Sequence, residues 1–240
     1  MPLRPWSPIP IADIGEPLQE LPAALVRLEP HPYVAAGAPY GEQASPFRLR
    51  RGVIERLLAA QQHLQQHHPQ LRLAVFDAWR PLAVQAYMVQ HAIGAECERL
   101  GLDPSQPGPA LQAVVAEVGR FWAPPSADPR TPPPHSTGAA VDLTLIDGEG
   151  QPVAMGSEID AIGAVSEPDH WLLQAQALPP GTARDQALAW HRHREALRSA
   201  MLQAGFAQHP NEWWHFSHGD QLWAWQQQQP LAIYGRWQGG

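Results

Sequence analysis

Apolar positions recur along this chain with two periods, one helical and one of strands. Over 45–68, "SPFRLRRGVIERLLAAQQHLQQHH", Val53, Ile54, Leu57, Leu58 and Leu64 fall on one helical face. The pattern predicts a helix with Ser45 as N-cap and Pro46 in its first turn, ended near Pro69. "LRLAVFDAW" (71–79) alternates Leu71, Leu73 and Val75 against its other face, as a strand does. Helical patterns return over 82–100 and 109–122, and 139–146 is again strand-like, followed by a "DGEGQPV" turn. Residues 156–184 carry no periodicity. A long helical pattern over 185–206 closes on Gly205, and "EWWHFSH" (212–218) reads as a strand before a Trp- and Gln-rich tail. Residues 1–45, rich in Pro and Gly, predict irregular chain with short strands near "AALVRL", packed on the remainder.

Helices and strands mix without a regular βαβ alternation, and no Gly-rich phosphate loop follows a strand. The expected fold class is therefore α+β, with residues 1–240 forming one domain around a small, mostly antiparallel sheet flanked by helices. Six prolines in the twelve residues 123–134 predict an extended loop that leads into His135.

Charge narrows the partners. The chain carries 23 acidic and 16 basic residues, a formal charge of −7, and its basic residues are scattered. A nucleic-acid or anionic-membrane partner would want a basic patch, so neither is expected. Cys97, the one cysteine, excludes an intrachain disulfide and a cysteine metal cluster, and its helical pattern predicts a buried, inert thiol. The N-terminal stretch lacks an apolar signal core, and no apolar run reaches the roughly 18 residues of a membrane helix. The expected compartment is the cytoplasm. Oligomeric state is not legible.

Two constellations carry candidate chemistry. In "HSTGAAVDLTL" (135–145) a bend at Gly138 lets His135 and Asp142 converge, with Asp142 sharing a strand face with Ala140 and Thr144 while Val141, Leu143 and Leu145 face the core. In "NEWWHFSH", Glu212 stands three residues before His215. Two imidazoles and one carboxylate make a three-ligand zinc site with an open fourth position, and Glu212 would be free to take a proton from the attacking water. On the residues alone, a solvated loop histidine with a strand-edge acid, and a Trp-rich core strand with one histidine, remain open alternatives.

Four motifs in order carry a resemblance. "FDAWRP" (76–81), "HSTGAAVDLTL" (135–145), "MGSEID" (155–160) followed by His170, and "EWWHF" (212–216) are similar to those of the zinc D-alanyl-D-alanine dipeptidases of the VanX type. The resemblance implies a hedgehog/D-Ala-D-Ala peptidase-like fold whose sheet carries one Zn²⁺ per chain on His135, Asp142 and His215. It implies Glu212 as general base and acid, Arg80 as the stabiliser of the oxyanion, and Asp160 as receptor of the dipeptide's free amino group. Tyr33 and His170 join Asp160 as expected substrate-binding residues. The chain departs from the family at Pro133, where Ser is usual, in "YVAAGAPYG" (33–41), which lacks an Asn-Phe pair, and in a longer 161–195 region. All three bear on substrate choice.

Among other residues, His63 and His67 have i,i+4 spacing on a Gln-rich face that reads as solvated, and His191 and His193 do not face each other. His218 sits on the strand face opposite His215. Asp77 is either the partner that orients Arg80 or a turn former. The expected function is hydrolysis of D-Ala-D-Ala or a related D-amino-acid dipeptide. The alternatives are a D,D-carboxypeptidase on longer wall peptides and a non-enzymatic zinc-binding module.

Overall fold

Seven consecutive residues of one strand, β-branched or small for the most part, are all buried, and the molecule is organised around them. The computed structural model describes residues 4–41 and 44–238; residues 1–3, 42–43 and 239–240, part of the expected domain, lie outside the described residues. In chain order the elements are β1 (Leu18–Glu20), β2 (Val26–Arg27), α1 (Pro32–Ala35), β3 (Arg48–Arg50), α2 (Arg51–His67), β4 (Arg72–Asp77), α3 (Leu82–Leu100) and α4 (Pro109–Phe121). There follow β5 (Ala140–Ile146), α5 (His170–Ala177), α6 (Thr182–Gln203), β6 (Ala207–Gln208), β7 (His215–Ser217) and α7 (Gln221–Gln226). The main sheet has the order β2-β4-β5-β7-β6; β2 runs parallel to β4 and every other pairing is antiparallel. β1 and β3 form a separate antiparallel pair. The α+β, single-domain, mostly antiparallel expectation is met.

The two faces of the sheet have different tasks. Val141, Leu143 and Leu145 of β5 lie with Leu73 and Val75 of β4 on one face, packed against Leu57 and Leu64 of α2 and Leu197 and Met201 of α6, all buried. Each such side chain contributes about 1.5–3 kcal/mol by leaving water. A second apolar cluster joins Tyr33, Val84, Met88, Val114, Val118 and Trp122, and Cys97 is buried in it, as the helical pattern predicted. Between this cluster and the sheet's other face lies the polar site. No helix among the described residues is long and apolar enough to cross a membrane.

Several local expectations are corrected. Ser45 does not cap a helix: Leu18↔Arg50 and Glu20↔Arg48 pair β1 with β3, so α2 starts only at Arg51. The Ser45 hydroxyl instead accepts the Phe47 amide in a turn, at 3.2 Å. The segment 156–184 is not wholly irregular, because α5 forms inside it. "EWWHFSH" is extended only from His215, since the Trp213 amide is drawn to Ser166 O at 2.9 Å. The tail holds the short helix α7, capped by the Asp220 carboxylate on the Trp223 amide at 2.9 Å. The expected stop at Gly205 stands: its φ is +85°, and the Phe206 amide reaches Met201 O at 3.1 Å while the Gly205 amide reaches Leu202 O at 2.9 Å, a Schellman closure.

Candidate metal centre

Strand register places the polar side chains. Asp77 of β4 pairs with Asp142 of β5, and Asp142 with His215 of β7, so three chemically active residues form one row across the sheet. In a regular strand Asp77 would share the core face with Val75. A bulge between Val75 and Asp77 adds one residue, Phe76, and turns the carboxylate to the site face opposite Asp142. Asp142 needs no such device, because alternation along β5 already sets it opposite Val141 and Leu143. His135 arrives from the proline-rich loop on a single 3₁₀ turn, Pro134–Thr137. Gly138 ends that turn at φ +71°, where an added Cβ would lie 2.2 Å from Leu18 Cδ2.

His135 Nδ1 lies 2.7 Å from Ala78 O, which makes it the protonated nitrogen and leaves a lone pair on Nε2. Around that lone pair the donors converge: His135 Nε2 is 3.1 Å from His215 Nδ1 and 3.2 Å from Asp142 Oδ2, and His215 Nδ1 is 3.0 Å from Asp142 Oδ1. These separations approach the edge of a tetrahedron with bonds of about 2.0–2.1 Å, roughly 3.3 Å. All three residues are buried. Among the described residues, the nearby buried Glu212 Oε1 has no hydrogen-bond partner. Unpaired buried polar atoms are costly, and a donor set of N, N and O at this spacing fits a divalent cation.

The charges agree. Burial alone would raise the Asp142 carboxyl, but His135 and His215 beside it more than offset this and hold it far below the usual range. Glu212 is pushed well up, first by burial and then by the Asp142 charge. A cation among the three donors would oppose both causes and favour the carboxylate form.

Arg80 enters the same cavity. Its Nη2 and Nε donate to Asp77 Oδ2 at 2.8 and 3.1 Å, its Nη1 to Gln85 Oε1 at 2.9 Å, and its Nη2 lies 3.3 Å from the Tyr33 hydroxyl and 3.5 Å from Asp142 Oδ2. Asp77 is thus the partner that orients the guanidinium, and it also receives His31 Nε2 and the Tyr40 hydroxyl, each at 3.0 Å. Tyr33 donates to Asp160 Oδ2 at 2.8 Å. Asp160 holds a left-handed backbone, φ +66°, and its carboxyl is pushed up to about 7, first by burial and then by Asp142. Arg80, His135, Asp142, Asp160, Glu212 and His215 all line one cavity of about 290 Å³, at the small end of ligand pockets.

His170 stands apart: it heads α5 and lines a separate surface depression with Asp169 and Arg198, not this cavity. Tyr33 lies behind the wall, reaching the cavity through Asp160 and Arg80. His218 turns away to Gly205 O at 3.0 Å, as its strand face predicted. Sequence reasoning missed His209, Trp6 and Arg4, all of which line the cavity. His209 Nδ1 lies 3.2 Å from Glu212 Oε1 without hydrogen-bond geometry and accepts the Asn211 amide instead, and Trp6 meets the His209 ring edge-on at 5.6 Å. Burial first, then His215 and Arg4, hold the His209 imidazole neutral. Its place three residues before Glu212 was the one signal available.

Comparison with known proteins gives matches over most of the chain. Residues 27–232 match the D-ala-D-ala dipeptidase family. A D-alanyl-D-alanine dipeptidase of Synechocystis sp. is 45% identical over 98% of this chain and 97% of its own length. One from Escherichia coli is 30% identical over 61% of this chain and 54% of its own, and one from Streptomyces coelicolor is 38% identical over 35% of each.

Proposed function

This chain belongs to the D-Ala-D-Ala dipeptidase family of peptidases, and from that premise we propose that it hydrolyses D-alanyl-D-alanine, or a related D-amino-acid dipeptide, with one zinc ion per chain. The observation that carries the reading is the convergence of His135 Nε2, Asp142 and His215 Nδ1 at 3.0–3.2 Å beside the unpaired Glu212 Oε1. His135, Asp142 and His215 would hold the zinc. When bound, zinc acts as a Lewis acid and lowers the pKa of water from 15.7 toward about 7.

The remaining steps belong to the side chains. Glu212 takes a proton from the attacking water and passes it to the departing nitrogen as the peptide C–N bond breaks; the water's oxygen stays on the carbonyl carbon and its second proton follows to the nitrogen, leaving a carboxylate and an ammonium. The Arg80 guanidinium, fixed by Asp77 and Gln85, faces the negative charge that grows on the carbonyl oxygen; a single such donor is worth about 3–4 kcal/mol. Asp160, steadied by Tyr33, receives the substrate's ammonium and so limits the cavity to peptides with a free amino end. With ammonium bound, the Asp160 carboxyl loses its proton more readily, which suits it to neutral pH.

The test is free D-alanine release by the zinc-loaded chain from D-Ala-D-Ala, L-Ala-L-Ala and N-acetyl-D-Ala-D-Ala. Release from the free D,D-dipeptide alone supports the reading. Equal cleavage of the acetylated compound replaces it with a D,D-carboxypeptidase and removes Asp160 from amine recognition. Zinc binding at one per chain with no cleavage leaves a binding module.

A further inference from the structure

A zwitterionic dipeptide brings a carboxylate into the cavity as well as an ammonium, and burying that carboxylate is costly unless a donor or cation meets it. Most polar groups of the cavity are already engaged. Arg80, held by Asp77 and Gln85, is committed to the reacting carbonyl, and the Ser126 and Thr131 hydroxyls bond each other at 3.0 Å. Gln221 Nε2 lies within 3.0 Å of the carbonyl oxygens of Ser7 and Arg130. Pro132, Pro133 and Pro134 form a wall with no side-chain donor.

Arg4 differs. It lines the cavity, donates from Nη2 to Gly119 O at 2.6 Å and from Nη1 to Arg120 O at 3.2 Å, and makes no ion pair with a carboxylate among the described residues. A guanidinium has five N–H groups, so these two bonds leave three for a ligand. Its position is built. The Arg4 amide donates to Ser7 Oγ at 3.1 Å and the Ser7 amide to Arg4 O at 3.0 Å, closing a turn. The Gln221 amide fastens that turn from the far end of the chain, and Trp6, buried, seats against His209 and Trp225. Among the described residues the cavity therefore holds an arginine that rests on carbonyls and the Trp6 ring, 5.9 Å away, rather than on a carboxylate, in a segment that folds over it.

We propose that Arg4 receives the C-terminal carboxylate of the dipeptide and makes the N-terminal segment a determinant of substrate length. The proposal rests on the dipeptidase reading. With Asp160 on the ammonium and Arg4 on the carboxylate, the cavity recognises both ends of a substrate that spans at most about 7 Å when extended, and a peptide blocked at either end lacks a partner.

The experiment measures kcat and KM for D-Ala-D-Ala and its C-terminal amide with the zinc-loaded wild type, Arg4→Gln and Arg4→Lys. For the wild type, the amide should have a KM at least about tenfold above the acid, because a charge-assisted pair is lost. Arg4→Gln should raise the KM for the acid by about tenfold or more and alter the amide far less, so that the preference between acid and amide collapses whatever change in kcat the two share. Arg4→Lys, which keeps the charge without the fork, should restore part of it. A rise of equal size for acid and amide would mark a merely structural role and overturn the proposal. So would a wild type that cleaves acid and amide equally well, in which case the dipeptidase reading stands. Cleavage of neither compound by the wild type overturns both.

Discussion

Asp77 is the buried hinge of the site, and replacing it with alanine tests the site's construction. The carboxylate is wholly buried and receives His31 Nε2 and Tyr40 Oη at 3.0 Å each and the Arg80 guanidinium at 2.8 and 3.1 Å. Its removal strands a buried cation, a change that costs about 3–5 kcal/mol. Arg80 would keep Gln85 at 2.9 Å and a distant Asp142 oxygen at 3.5 Å, which places the expected loss at the lower end, about 3 kcal/mol. In a chain of this size that lowers the melting temperature by about 6–12 °C. Released from Asp77, the guanidinium no longer points at a fixed place, and a displacement of about 1 Å costs up to about a hundredfold in kcat. Urea unfolding and steady-state kinetics on Asp77→Ala check both. A loss below about 1 kcal/mol, or the expected loss of about 3 kcal/mol with kcat unchanged, would refute the view that Asp77 orients Arg80.

Two further outcomes follow from the same geometry. Asp160, with its carboxyl pushed up to about 7, is protonated below that pH and then offers an ammonium no charge. KM for the free dipeptide should therefore rise as pH falls below about 7, the cation beside Asp142 lowering the onset, whereas Asp160→Asn, compatible with the left-handed backbone at φ +66°, should show a high KM that stays flat across that range. An unchanged pH profile in the variant would remove Asp160 from amine binding. Gly138→Ala adds a Cβ 2.2 Å from Leu18 Cδ2 at φ +71°, and Gly150→Ala adds one at φ +81° into open space. The first should destabilise by about 1–3 kcal/mol and the second by about 1 kcal/mol in urea unfolding, and a smaller loss at Gly138 than at Gly150 would contradict the close approach of Leu18.

Much of the site is legible in the chain because alternation along β5 depends only on local pattern. With Val141, Leu143 and Leu145 in the core, Asp142 has to face the other side, and Glu212 and His215 follow from their spacing. The helices over 82–100 and 109–121 and the stop at Gly205 are equally local. What escaped depends on distant partners. The bulge at Phe76 exists because β4 must pair with β5 sixty-five residues or more away while presenting Asp77 to the site. The helix beginning expected at Ser45 is displaced by β1, and the strand expected at Glu212 is shortened by a contact to Ser166. Arg4 and Trp6 enter the cavity only after the ends of the chain meet through Gln221, and nothing in a proline-rich N-terminal segment announces that meeting.

The central claim is that His135, Asp142 and His215 hold a metal beside a Glu212 that moves protons. Zinc content and D-alanine release, measured together on the wild type and Glu212→Gln, test it most directly. The account predicts one zinc per chain in both proteins, with release from D-Ala-D-Ala falling by about 10²–10⁴-fold in the variant. A variant within about tenfold of the wild type, or a wild type that turns over at full rate with less than stoichiometric zinc, would contradict it.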